Sequence, residues 1–387
     1  METSSTLTVW YVNNLAKTGL ILILFLISCT QLVSFQLDKA VMTLMVGVLL
    51  FHSVFVEKKV PANSFFVLIV TLGLILLSYL LNLPDSSLII FFPVIGLAFV
   101  TLLGEEESFL NLIYWALFVH IVIGIFFVIS SYILGMNSFV HPMYDKGLPF
   151  LHAAKGFTTT VQTFGTLVIG WFLIYYWKKE QASTTFFDQM AYLVVLLGLV
   201  LTFNRNSLLI YYIILFFKHK KIFWLSVLTG LAFVAYFFEF INKLIFNLST
   251  LTSRSDLLQA FRIAFFEHTD WAGYLIGHGN NIVDESISRG TYYRTGYIEN
   301  GTSVLLYTYG FVGYFFYLVS VVVFSFLFWM KKKVFYSAML FYIFVVAQQF
   351  THEFYSTTIY TLLAVFLLIF KSYPRIEKQA HLFSPAQ

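Results

Sequence analysis

The chain has 387 residues, of which 59% are hydrophobic and 11% charged. Soluble domains carry about 25% charged residues, so a water-soluble globular fold is excluded. The formal net charge of +4, from 23 Lys+Arg against 19 Asp+Glu, is too mild to mark a nucleic-acid surface.

In chain order, Lys17 precedes an apolar run from Thr18 to Val33 that has the outline of a signal peptide. No small-residue cleavage pattern follows it and a second apolar run starts at Ala40, so it reads as a retained first helix. The lone cysteine, Cys29, lies in that first run and can form neither an internal disulfide nor a multi-cysteine metal site. Spans are predicted at residues 18–36, 40–56, 64–82, 87–104, 109–134, 157–177, 187–203, 206–217, 222–241, 301–330, 334–350 and 356–370. Twelve spans of about 20 residues would use about 240 residues, close to the apolar share of the chain. The expected fold is an all-α, polytopic membrane helix bundle. It forms one transmembrane domain over 1–387, with a large extracytoplasmic loop at 247–300 inside it.

Orientation follows from lysine and arginine near helix ends, which collect on the cytoplasmic side. With the N-terminus inside, Lys58, Lys59, Lys178, Lys179, Lys218, Lys220, Lys221, Lys331, Lys332 and Lys333 all fall inside. The tail, with Lys371, Arg375 and Lys378, does too, so both termini are expected in the cytoplasm. Every arginine except Arg375 falls outside.

The stretch 187–217 is short for two crossings, since about 31 residues of helix measure about 46 Å and two crossings of the hydrocarbon core need about 60 Å. A single tilted span would invert every later basic cluster, so two short helices are expected. Their turn, Asn204-Arg205-Asn206, would then lie below the outer surface in a depression lined by protein. Arg205 is costly between apolar helices. It either snorkels to the interface or faces a polar cavity, where its planar fork suits phosphate oxygens.

Two polar segments are expected outside, 135–156 and 247–300, and the second holds Arg254, Arg262, Arg289 and Arg294 with Glu267, Asp270, Asp284 and Glu285. Ser253 to Arg262 reads as a short amphipathic helix capped by Ser253 or Ser255, placed to aim Arg254 inward. Gly277-His278-Gly279 is either a bare tight turn or a place where backbone approaches a ligand closely. Tyr292, Tyr293 and Tyr297 suit sugar stacking or a membrane interface. Glu299, at the start of the next helix, is either a dipole-stabilised cap or a general base facing an outer cavity. His352 and Glu353 form a second titratable pair on an outer turn. No metal cluster, P-loop or Ser/His/Asp array is visible, so ATP-driven and metal-hydrolytic chemistry have no support in the sequence.

Three pieces, in order, carry a resemblance. Leu201-Thr202-Phe203-Asn204-Arg205-Asn206-Ser207-Leu208-Leu209 resembles a Ser-Arg-Gly stretch between two helices, with asparagine here on both sides of the arginine. Thr252-Ser253-Arg254 through Ala260-Phe261, then Gly277-His278-Gly279, resembles an arginine helix and Gly-X-Gly turn opening a large outer loop. Glu299-Asn300, nine residues, then Gly310-Phe311-Val312-Gly313 has the spacing of a motif in which histidine and asparagine precede Gly-X-X-Gly. Together these resemble the O-antigen polymerase and O-antigen ligase superfamily of bacterial envelope glycosyltransferases. Glutamate at 299, where ligases carry histidine, favours a polymerase.

The resemblance implies a reaction between undecaprenyl-diphosphate-linked oligosaccharides on the outer face of the bacterial cytoplasmic membrane, with no cofactor and no metal. Arg205 and Arg254 would bind the diphosphate, and Glu299 would accept the proton of the acceptor hydroxyl. Arg262, Arg289, Arg294, His278 and Asn300 would contact phosphate or sugar. The partners implied are the lipid-linked oligosaccharide, membrane lipid, a chain-length regulator and a flippase, with no nucleic acid. The alternatives are a ligase-type transferase, or a lipid-linked saccharide transporter. A transporter would be expected to show repeats and midplane charge.

Overall fold

A computed structural model describes residues 106–144, 148–181, 183–237, 258–279, 300–351 and 357–383, and these are mostly helical. The spans expected at 18–36, 40–56, 64–82 and 87–104, with Lys58 and Lys59, lie outside the described residues.

Helix α1, Glu106–Leu134, buries Leu110, Ile113, Tyr114, Leu117, Ile121, Ile125 and Val128 at helical spacing. Its opposite face exposes Trp115, Val119, Val122, Phe126 and Ile129, so both faces are apolar. Two helices are long and apolar enough to cross a membrane, this one over Leu110–Leu134 and Gly301–Met330; Phe186–Leu201, Val334–Gln349 and Thr361–Tyr373 are apolar but shorter.

The segment 135–156 was expected to be a polar loop of an all-α protein, and it instead holds an antiparallel hairpin of β1, Val140–Met143, and β2, Leu148–Ala154. Pro142 and Pro149 exclude a helix interior here. The hairpin is fastened to the end of α1. The Tyr132 hydroxyl receives the amide of His152 and donates to the carbonyl of Phe150, both at 3.0 Å.

Helix α2, Val161–Glu180, is the centre of the core and is buried from Leu167 through Lys178. Thr160 starts it with a capping box shared with Thr163. Helices α3, Phe186–Leu201, and α4, Arg205–Lys218, are the two short helices expected at 187–217. They are about 24 and 21 Å long at 1.5 Å per residue, and the hydroxyls of Tyr192 and Tyr211 join them at 2.6 Å. Gly165, one turn into α2, admits Ser207 and Asn204 of this pair, where a Cβ would collide with the Ser207 hydroxyl. Helix α5, Lys220–Tyr236, follows.

Beyond residues 258–279, helix α7, Gly301–Met330, coincides with the expected span. Helix α8, Val334–Phe341, runs through a π-turn, Tyr342–Val346, into a 3-10 turn, Ala347–Gln349. The last helix, α9, is Thr357–Phe383. Before α7 in the chain, Trp271–Ile276 forms the short helix α6.

One end of the bundle gathers lysines. Lys178, closing α2, bonds Asp188 at the start of α3 at 3.0 Å. Glu180 receives Lys218 from the end of α4 at 2.6 Å, Lys333 from the α7–α8 link at 3.2 Å, and the Tyr373 hydroxyl of α9 at 2.8 Å. Among the described residues, the turns around Lys178, Lys218 and Lys333, expected on one side, share one end. The hairpin and the α3–α4 turn sit at the opposite end of α2, where Phe203 packs on Met143, Leu148 and Ala153. At the far end of α7, Asn300 meets the 3-10 turn: its Nδ2 donates to the Gln349 carbonyl at 2.7 Å.

Candidate functional site

Four of the residues singled out in the sequence, Arg254, Arg289, Arg294 and Glu299, lie outside the described residues, as do Tyr292, Tyr293, Tyr297, His352 and Glu353. Arg205, Arg262, His278 and Asn300 are described, and the last three belong to one assembly.

That assembly starts with helix at 258–262, which widens into a π-turn, Ile263–Glu267. Phe261 and Phe265 face Val304 and Tyr307 of α7 and form a small core of their own. Arg262 is on the exposed side. Asp270 caps α6 by accepting the amide of Gly273 at 2.7 Å.

Gly277 ends α6 with φ 78° and ψ −174°, and Gly310 breaks α7 with φ 63° and ψ −169°. Both conformations belong to glycine. The two meet: a Cβ on Gly277 would strike the backbone of Thr308 and Tyr309, and one on Gly310 the backbone of Leu275 and Ile276. The crossing is tied by His278 N–H to the Tyr307 carbonyl at 2.7 Å and by Gly279 N–H to that of Thr308 at 3.0 Å. The Gly-X-Gly turn is therefore a docking device against the first half of α7.

His278 is half-buried, stacked on Tyr307 with ring centroids 4.5 Å apart. Its Nε2 lies 2.9 Å from the Thr269 hydroxyl, which itself donates to the Ala264 carbonyl at 2.9 Å. With that single hydroxyl proton committed, the imidazole must carry its proton on Nε2 and donate it, leaving Nδ1 as acceptor in the neutral ring. Burial pulls the His278 pKa below its ordinary value, while nearby Asp270 works in the opposite direction.

Asn300 is the N-cap of α7, with Oδ1 accepting the Ser303 amide at 2.9 Å. Gly301 donates to the Thr351 carbonyl at 2.9 Å, and Gln349 bonds the Thr302 hydroxyl. The first half of α7 is thus held on one side by the 258–279 segment and on another by 347–351.

Arg205 opens α4 under the Asn204 cap, beside α2 and the hairpin. Arg205 is exposed, with Asn204 and Asn206 on either side of it partly buried. The preceding Phe203 holds φ 49°, a strained value for a bulky residue, and its packing on the hairpin fixes that turn.

Sequence reasoning missed Thr269 and Tyr307, which hold the His278 ring by a hydrogen bond and by stacking, and it named Asp270 only among the acids of the loop. The cap sequence Thr269-Asp270 before an apolar helix was a readable signal. It also missed His152, whose Nδ1 lies 2.7 Å from Ser131 Oγ; Ser131 donates to the Val128 carbonyl, so His152 donates to Ser131. Among the described residues, no group of three or more His, Cys, Asp or Glu could hold a metal ion.

Compared with protein-family models, curated proteins and solved structures, the chain matches none.

Proposed function

We propose that this chain is a multi-pass membrane glycosyltransferase, a polysaccharide repeat-unit polymerase acting on undecaprenyl-diphosphate-linked oligosaccharides at the outer face of the bacterial cytoplasmic membrane. The observation that carries the reading is the docking of Gly277-His278-Gly279 on the break at Gly310. Two pieces that bear the sequence resemblance are thereby a single structural unit, with Asn300 capping the same half-helix and Arg262 on the same loop.

In this reading the growing glycan leaves its lipid diphosphate and joins a hydroxyl of the incoming unit. The diphosphate departs readily, so the protein's part is positioning and charge stabilisation. Arg205 and Arg254 bind the diphosphate through their guanidinium forks. Glu299 takes the hydroxyl proton, and Arg262, Arg289, Arg294, His278 and Asn300 hold phosphate or sugar. The lysine end faces the cytoplasm. Exposed Trp115, Trp224 and Trp329 support a membrane boundary at that end, and the lysines give its side. Trp224 and Trp329 sit close in sequence to lysines of that end, and the Lys178 ammonium lies 5.8 Å from the Trp115 ring.

The test is to incubate the purified protein in lipid with a defined undecaprenyl-diphosphate repeat unit and separate the products by length. A ladder of polymers is expected. Release of single units onto another acceptor would replace the polymerase by a ligase, and unchanged substrate would remove the enzymatic reading.

A further inference from the structure

The outer-loop segment turns an apolar face away from the protein. Trp271 is 76% exposed and Phe266 is 52% exposed, and Leu275 is exposed as well. Trp271 and Leu275 are four apart on α6 and so share a face. The polar residues Glu267, His268 and Asp270 lie between Phe266 and Trp271 in sequence, which makes the segment amphipathic rather than apolar throughout.

This face continues onto α7. Leu275 and Ile276 abut Gly310, Tyr274 stacks on Phe311 with centroids 6.3 Å apart, and Phe265 lies 5.6 Å from the same ring. From there Phe311, Phe315, Val319, Val322, Val323 and Phe326 form an exposed stripe at helical spacing down to Trp329. Trp329 immediately precedes the lysine end. From Trp329 to Gly310 is about 28 Å of helix at 1.5 Å per residue, close to the roughly 30 Å thickness of a bilayer's hydrocarbon core. One aromatic boundary lies at Trp329, and the loop patch lies where the second should be.

We infer that Phe266, Trp271 and Leu275 seat the 258–279 segment in the outer boundary of the lipid bilayer, with acyl chains as the occupant of this face. Arg262 and His278, on the same segment, are then held at headgroup depth, the level at which a lipid-linked diphosphate presents its phosphates. The inference rests on the membrane part of the function proposed above and not on the polymerase chemistry.

The test uses full-length protein carrying Cys29→Ser, with Trp271→Cys labelled by an environment-sensitive fluorophore, in vesicles of phosphatidylglycerol and phosphatidylethanolamine. Leu275→Cys is a second labelling site, Phe315→Cys a deep reference and Glu267→Cys a polar one. Probes at 271 and 275 should emit to the blue of the probe at 267. They should lose most of their emission to a nitroxide near the lipid headgroup, and less to one deep in the acyl chain. The probe at 315 should show the reverse preference. Water-like, unquenched emission at both 271 and 275 would overturn the inference, and so would blue-shifted emission that lipid nitroxides do not reach, since protein would then cover the face. Polymer formation is measured on the same samples. Lipid quenching without polymer would support the anchor and count against the polymerase, and polymer without quenching would do the opposite.

Discussion

Gly277 and Gly310 interlock, each lodged against the backbone beside the other. Because the obstructing atoms are main chain, an added methyl cannot be relieved by a rotamer change, and both positive φ values are costly for alanine. Gly277→Ala and Gly310→Ala should each lower stability by about 2 kcal/mol or more, read as a drop in thermal midpoint in detergent. Gly230→Ala, in open space on α5, should leave it unchanged or raise it by up to about 1 kcal/mol.

The Asp188 carboxylate, with its side chain 2% exposed, is bonded by Lys178, by the Tyr114 hydroxyl at 2.7 Å and by Thr185 through both its amide and its hydroxyl. Removing only the acid strands a buried ammonium. Asp188→Asn should cost about 3 kcal/mol or more, whereas Asp188→Leu combined with Lys178→Met should cost less than the sum of the two single changes. A double-mutant cycle on urea midpoints measures the coupling, and strict additivity would refute it.

Glu180 joins three chain segments at the lysine end, with its side chain 27% exposed. Burial raises its pKa, but Lys218, Tyr373 and Lys333 together outweigh this and hold it below the ordinary value of 4.5. A depressed carboxyl contributes stability that is complete above its unfolded pKa and is lost as pH falls through the folded one. The thermal midpoint should therefore decline below about pH 4.5, and Glu180→Gln should flatten that decline while costing about 1 kcal/mol at neutral pH.

His278 gives an acid dependence in a higher window. Its pKa lies below the ordinary 6.5 because of burial, so the unfolded chain takes up a proton before the folded one does. Stability should rise with pH through the interval just below 6.5 and level off above it. His278→Gln keeps a donor for Thr269 without titrating. Its midpoint should vary less between about pH 5 and pH 7; an unchanged profile would assign the dependence to another group.

Arg205 provides a chemical test. If its guanidinium grips phosphate with two parallel bonds, a lysine supplies the charge without the fork. Arg205→Lys should then lose about tenfold or more in polymer formed per unit time, and Arg205→Ala more still. Full activity in the lysine variant would show that a point charge is enough.

Much of the helical layout was legible because apolar periodicity and terminal lysines are strong local signals. Gly301–Met330 matches its expected span, and Lys178, Lys218 and Lys333 come to one end as their spacing required. The hairpin at 140–154 was missed although Pro142 and Pro149 forbade helix, because short strands over a helix end leave little periodicity. The break at Gly310 has no local signature at all. Glycine is common in apolar helices, and its cause is Gly277, thirty-three residues earlier.

The carbonyls of Tyr307 and Thr308 are satisfied by amides of the 277–279 turn. The 258–279 segment and the first half of α7 are therefore two halves of one joint, and neither can be exchanged alone. A chimaera that borrowed another protein's segment in place of 258–279 would have to carry the matching stretch around Gly310 with it. Otherwise the transplanted segment would have no socket, and α7 would lose the two amides that reach its carbonyls at the break.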